Sequence, residues 1–353
     1  MKRIFAATAC ATGLCATVDL STNYKADHVL VVETSITLES KVTNFEVLID
    51  GQAPEGRELP GEQSSTLTVS TLHADHIVEA SDGSPTMIRR EFRSLSANNV
   101  QNSGGEENSN DLSSPLEDVT LEIKSVDGEI SVRPTEEKDL EKAQLEGHLL
   151  ALSIDALLPE EEIEEGGSWE LESEAIAEAL GFQRQATLFP RRQGGGREAA
   201  GGEGRRGQRG RQRGAGQGGG LGEFAHLNWE GEAQLAGTED YEGTSCWVIE
   251  LELEASGELP EQAQGQGRRR RDRSVQPETS LPSTALETTM EIELKGRMLV
   301  SVDGRHPMNL SLEGSFEREM ERNVERGERS MEMTRSSEGN FKLEVAVSQE
   351  ESE

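Results

Sequence analysis

The chain is short of aromatic side chains, cysteine and positive charge. Of 353 residues, 8 are Phe, 3 Trp and 2 Tyr, 4% in all, so any core must be mainly aliphatic. The three cysteines are Cys10, Cys15 and Cys246. The first two fall in the opening 18 residues. If that stretch is removed, Cys246 stands alone, which excludes an intramolecular disulfide and a Cys-based zinc site. Lys and Arg number 35 against 67 Asp and Glu, a formal net charge of −32. Such a polyanion is repelled by nucleic acid and by anionic membranes. No apolar run is long enough to cross a bilayer as a helix, so an integral membrane protein is not expected.

Chemistry-bearing motifs are also missing. There is no Gly-x-Ser-x-Gly and no phosphate-binding loop ending in Gly-Lys-Ser/Thr. The glycine-rich stretch at Gly216–Gly222 neither follows a strand nor opens a helix of a βαβ unit, so it is no dinucleotide fingerprint. His73 and His76 are three apart, which separates their rings on a strand, and they read as solvated turn histidines. The run Glu160–Glu162 with Glu164 and Glu165 lacks the glycine and carbonyl framework of a calcium loop. No catalytic residue, metal or cofactor is therefore expected.

What is present is alternation. Leu227, Trp229, Ala233 and Leu235 share one parity, against Asn228, Glu230, Glu232 and Gln234. The pattern returns in Trp247-Ile249-Leu251-Leu253, Met290-Ile292-Leu294, Met298-Val300-Val302, Met308-Leu310-Leu312-Phe316 and Phe341-Leu343-Val345-Val347. Period two writes strands with one apolar and one wet, acidic face. The sequence predicts a mainly β fold: long antiparallel, strongly curved sheet(s), two or three short helices, and disordered Gly/Arg-rich loops. Trp229, Leu251, Ile292, Leu294, Leu310, Leu312, Leu343 and Val345 are the expected core. Cys246 falls on the opposite parity, either partly exposed or tucked under a loop.

Upstream, strands are expected at Leu30–Leu38, Phe45–Ile49, Leu67–Thr71, Ile77–Glu79 and Met87–Leu95, with turns at Asp82-Gly83 and Asp127-Gly128. Asn98–Pro115 is polar and aperiodic and reads as an excursion. Helices are expected at Thr135–Glu146 and Ser173–Leu180, each ending before a glycine. Ser125-Val126-Asp127-Gly128 recurs at Ser301–Gly304, which hints at duplication but fits convergent hairpin chemistry better. The regions are then 1–18, 19–155, 156–189, 190–220 and 221–353, with a loop at 261–282. The two β regions are compatible with one continuous domain.

Met1-Lys2-Arg3 precedes an uncharged stretch to Val18 with small residues near Ala16, as in a short secretory signal. Leu14 before Cys15 does not suit a lipoprotein signal, so a lipid anchor is not expected. The expected location is extracytoplasmic, periplasmic or secreted.

Several motifs then occur in order: Asp19–Tyr24, Asp82-Gly83-Ser84-Pro85, Arg89-Arg90-Glu91-Phe92, Leu157-Leu158-Pro159, Gly166–Glu170 and Gly243–Ile249. In this ordering the chain resembles a group of uncharacterised exported bacterial β-rich proteins. The resemblance implies a β fold and an exported compartment, and no activity.

Positive charge is concentrated in two places. Pro190–Gly220 holds eight Arg against two Glu, and Arg268–Arg273 holds five Arg against Asp272. With no interleaved aromatics in the first, nucleic acid is a poor partner. Leu227–Leu235 and Trp247–Leu253 are close enough to form a hairpin, which would bring both Arg-rich segments to one end of the sheet. Arg205, Arg206, Arg209, Arg211, Arg213, Arg268, Arg269, Arg270 and Arg271 are thus the candidate contacts to an acidic surface, either another copy or an anionic envelope polymer. The leading expectation is a non-enzymatic structural or binding protein. A carrier of a lipid-like ligand in the curved sheet is the alternative, and Arg-rich binding of an anionic polymer or nucleic acid is another.

Overall fold

A computed structural model describes residues 17–54, 61–189, 221–259, 284–326 and 329–350. β1 (Thr17–Val18) leads to the long strands β2 (Val29–Ile49), β3 (Gln63–Ser81) and β4 (Ser84–Ser103), then to β5 (Glu106–Ser113), β6 (Thr120–Val126) and β7 (Glu129–Pro134). A middle section carries β8 (Ile163–Glu164), β9 (Ser168–Leu171), α1 (Ser173–Leu180) and α2 (Phe182–Leu188). Five strands follow: β10 (Asn228–Tyr241), β11 (Thr244–Glu258), β12 (Thr284–Ser301), β13 (Pro307–Arg326) and β14 (Arg329–Glu350).

Twelve of these strands make one sheet, in the order β7-β6-β4-β3-β2-β14-β13-β12-β11-β10-β9, with β5 added on β4. Every pairing is antiparallel. The sheet is two meanders joined where β2 lies beside β14, so the two β regions share one ladder. It is open, with β7 and β9 at its edges. β1 and β8 form a separate two-stranded pair.

The hairpins follow from turn chemistry. Asp50-Gly51, Asp82-Gly83, Gly104-Gly105, Asp127-Gly128 and Glu242-Gly243 each hold two consecutive positive φ angles. That conformation matches the twist of the flanking strands and selects Gly, Asn and Asp. The Gly104-Gly105 turn corrects the reading of Asn98–Pro115 as an excursion: β4 runs on to Ser103, and β5 returns in register from Ser103↔Glu106 to Ser96↔Ser113. Polar side chains hid these strands because most of them meet solvent on both faces.

The second repeat of Ser-Val-Asp-Gly serves a different turn from the first. At residues 301–305 the Ser301 hydroxyl accepts the Gly304 N–H at 2.9 Å, and the positive φ falls on Arg305. Thr135–Glu146 is no α-helix. It holds only a 3₁₀ turn at Lys142–Leu145, because it has too few inward apolar residues to fix a longer helix. Ser173–Leu180 is the expected helix, and Gly181 closes it at φ 64° and ψ 21°. The same glycine then opens α2, which the sequence reading did not foresee.

One apolar face is continuous across the sheet. All eight expected core residues are buried in it, from Leu310 and Leu312 at 0% exposure to Val345 at 6%. The middle section lies over this face. Phe182 of α2 stacks on Phe224 at 5.3 Å and on Trp229 at 5.9 Å, and meets Phe341 of β14 edge-on at 5.7 Å. The few aromatics are thus spent largely on fixing this cover to the sheet.

Candidate functional site

Under α2 the apolar face is interrupted by charge. On β3, Val69, Thr71, His73, Asp75 and Ile77 point inward, and on β4, Ile88, Arg90 and Phe92 do so. Asp75 pairs with Arg90 across the ladder. The Arg90 Nε and Nη2 donate to the two Asp75 oxygens, each at 2.7 Å, and Nη2 also donates to the Leu149 carbonyl at 3.3 Å. Both side chains are buried, and a bidentate pair is the geometry that best offsets the cost of desolvating two charges. Burial acts to raise the Asp75 pKa, but the Arg90 charge and hydrogen bonds override it and hold the carboxyl below its usual range.

Two histidines flank the pair. His73 places Nε2 3.8 Å from Asp75, and its ring lies 5.9 Å from that of Phe92. Burial drives its pKa down to about 3, so it is neutral. His148 is also buried, packs on Phe92 at 6.0 Å, and puts Nε2 3.0 Å from the Gln144 carbonyl. Burial, then the Arg90 charge, lowers it to about 4. Its Nδ1 is buried with no hydrogen bond among the described residues. His73 therefore departs from the expected solvated turn histidine: it lies mid-strand on the inward parity, while His76 points outward.

Arg184 completes the cluster from α2. Its Nη2 donates to the Ser153 hydroxyl at 3.1 Å, and among the described residues it has no carboxylate partner within ion-pair distance. Burial, then the Arg90 charge, lowers its pKa to about 10, so it remains a cation. Gln185 beside it leaves Oε1 buried with no hydrogen-bond partner among the described residues. A cavity of about 20 Å³ lies here, lined by Arg90, Arg184, His73, Thr34, Ser153 and Gln185 among others. That is room for about one water-sized guest. A lipid-like ligand would need α1 and α2 to leave, since their side chains already occupy the apolar face.

The sequence reading missed this cluster, although it left a signal. Asp75 and Arg90 are ionisable residues on the apolar parity of neighbouring strands, which a solvated strand has no reason to place there.

The residues expected to bind an acidic surface, Arg205, Arg206, Arg209, Arg211, Arg213 and Arg268–Arg271, lie outside the described residues, as do Cys10 and Cys15. The strands that carry their segments are in place. Asn228 pairs with Ser256, and Leu259 N–H donates to the Thr288 carbonyl, so residues 221–228 and 256–259 meet at one end of β10–β12. Cys246 is buried and donates to the Thr244 carbonyl at 3.5 Å. Burial, then Glu239 and Asp240, raises its pKa, which makes it a poor nucleophile. Glu162 and Glu164 belong to the β1–β8 contact, where Glu162 accepts the Thr17 hydroxyl at 2.6 Å.

The protein is thus a mainly β protein with one open antiparallel sheet and a helical cover. No family model and no curated protein matches the chain. A crystal structure of Pseudomonas aeruginosa OccK7 (OpdD) aligns with 92% of this chain and 100% of its own at 8% identity and a TM-score of 0.20, a likeness that carries no argument on fold or function.

Proposed function

We propose that this is a non-enzymatic extracytoplasmic structural or binding protein that associates through charge, its Arg-rich segments engaging the acidic strand face of another copy. The observation that carries the reading is the cross-strand register of glutamates on the outer face. Glu230 pairs with Glu254, and Glu254 with Glu293. Glu291 pairs with Glu317, and Glu317 with Glu338. Like charges directly opposite one another destabilise a sheet, and a cationic partner laid across them relieves that repulsion. Lys295 on Glu252 at 2.7 Å and Arg297 on Glu239 at 3.0 Å supply local relief, and Lys41 faces Glu338 at the end of the second row, but the Glu–Glu pairs within each row stay opposite one another.

The cations assigned this role are the nine arginines at 205–213 and 268–271, whose segments join the sheet at one end. The filled apolar face favours this reading over the lipid carrier. Sedimentation velocity of the full chain at about 20 mM and 300 mM salt tests it, because exposed charges are screened within roughly 10 Å at 0.1 M. Association is expected at low salt, lost at high salt, and abolished when the nine arginines are replaced by Gln. A monomer at every salt concentration that nonetheless binds an anionic polymer would move the partner to the envelope. A variant that behaves like the parent in both assays would remove the arginines from the function.

A further inference from the structure

The cluster beneath α2 has an unbalanced charge. Asp75 carries one negative charge and spends both oxygens on Arg90. The two histidines are neutral at neutral pH. Arg184 adds a second cation, held among the described residues by the Ser153 hydroxyl alone, while Glu178 on α1 is exposed and stands beyond ion-pair distance. The Arg184 guanidinium is only half-buried, yet it gains from a counter-charge, which a water molecule does not provide. Against it lies a cavity with an otherwise largely apolar lining into which donors converge from Arg90, Arg184, Thr34 and the amide of Gln185, while the Ser153 hydroxyl gives its proton to the Ala179 carbonyl. Among the described residues the Gln185 Oε1 has no donor to accept from, and an amide turned over would present N–H at the same place.

We propose that this cavity is a binding site for one small inorganic anion of chloride size, held between the guanidinium groups of Arg184 and Arg90. The size of the space sets the class. At about 20 Å³ the space suits a single monatomic ion better than phosphate, sulfate or an organic acid. The anion ties α2 to the sheet. Arg184 is on the cover, Arg90 and His73 are on β4 and β3, and Ser153 is in the 3₁₀ turn at Ser153–Leu157. Its role is to fix the helical cover over the apolar face.

Two measurements on the full chain test this. Thermal unfolding is followed at constant ionic strength while sodium gluconate is replaced by sodium chloride or bromide. The melting temperature is expected to rise by roughly 2 °C or more and to saturate, as for a ligand that binds only the folded state. The Arg184→Gln protein is expected to melt independently of halide. Crystals grown in sodium bromide are expected to show an anomalous peak in the cavity within hydrogen-bond distance of Arg184. A parent protein with no halide dependence beyond that of Arg184→Gln overturns the proposal, as does a bromide-grown crystal with only water in the cavity. If Arg184→Gln does not fold, the diffraction experiment on the parent protein decides alone.

Discussion

The Tyr24 hydroxyl donates to the Asp155 carboxyl at 2.5 Å and accepts the Leu152 N–H at 3.2 Å, linking the chain's opening segment to the 3₁₀ turn over the sheet. Tyr24 is a core residue, and the other Asp155 oxygen is buried with no hydrogen-bond partner among the described residues. Burial raises the Asp155 pKa to about 7, against the stabilising effect of the Tyr24 hydrogen bond. Burial, then Asp155, likewise raises Tyr24 well above its ordinary range, so the phenol stays protonated.

The sign of the pH effect follows from that shift. Between about pH 4 and pH 7 the folded chain keeps a proton on Asp155 that the unfolded chain releases. Stability from this group is therefore present at low pH and lost as pH rises through the window. Carboxylates held low in the folded state, such as Asp75 and Glu350, act in the opposite direction, so the comparison must be between parent and variant. Asp155→Asn is expected to gain relative stability from pH 4 to pH 7 by on the order of 2 kcal/mol. Parallel pH profiles of urea midpoints for the two proteins would show that Asp155 keeps an ordinary pKa.

The Asp75–Arg90 pair calls for a double-mutant cycle. Arg90→Met leaves a buried carboxylate without its partner, and Asp75→Asn leaves a buried guanidinium without its own. Each single change is expected to cost about 3–5 kcal/mol by urea unfolding. The double variant should cost clearly less than the sum, because each single loss is mainly the cost of an uncompensated charge. Additive losses would mean that the two side chains do not share their stabilisation.

How much of this was legible from sequence depended on contrast between faces. β10 to β14 each bury one face and wet the other, so Ile292, Leu310 and Leu343 could be placed from parity alone. The middle of β2, around Lys41–Asn44, is exposed or half-exposed throughout, so the strand read as two fragments although it runs unbroken from Val29 to Ile49. β5 is held by pairing with β4 and by its turn, not by burial. α2 was hidden because Gly181 reads as a stop, and only the packing of Phe182 on Phe224 and Trp229 continues the helix beyond it. Arg184 could not be linked to Arg90 from sequence, since 93 intervening positions give no register between a strand and a helix laid over it.

The core itself makes a direct prediction. Ile292 and Leu310 are 2% and 0% exposed on adjacent strands of the central sheet. Ile292→Ala and Leu310→Ala should each cost roughly 2–5 kcal/mol, the sum of lost transfer energy and the cavity left behind. Urea melts that place both below about 0.5 kcal/mol would mean that the apolar face is not packed as described.

The sharpest steric test lies at Gly314 on β13, which sits on the apolar parity between Leu312 and Phe316. It pairs with Leu294 on one side and Phe341 on the other. A Cβ there would lie 1.8 Å from the Glu293 carbonyl oxygen of β12, a backbone atom that cannot rotate away. Gly296 and Gly339 meet the same obstacle at 1.9 Å from Ser311 and Glu39 oxygens. The three form a diagonal across β12, β13 and β14, with the Phe316 ring lying over Gly339. Glycines at such positions let strands bend and sheets curve, and an aromatic neighbour covers the missing side chain. Gly314→Ala should therefore cost about 3 kcal/mol or more, beyond ordinary overpacking. Gly257→Ala on β11 is the control, since its Cβ would meet Leu227 at an ordinary 3.5 Å. It should be neutral or slightly stabilising by loss of unfolded-chain entropy. Equal urea midpoints for the two variants would mean that the sheet does not need its glycine diagonal to curve.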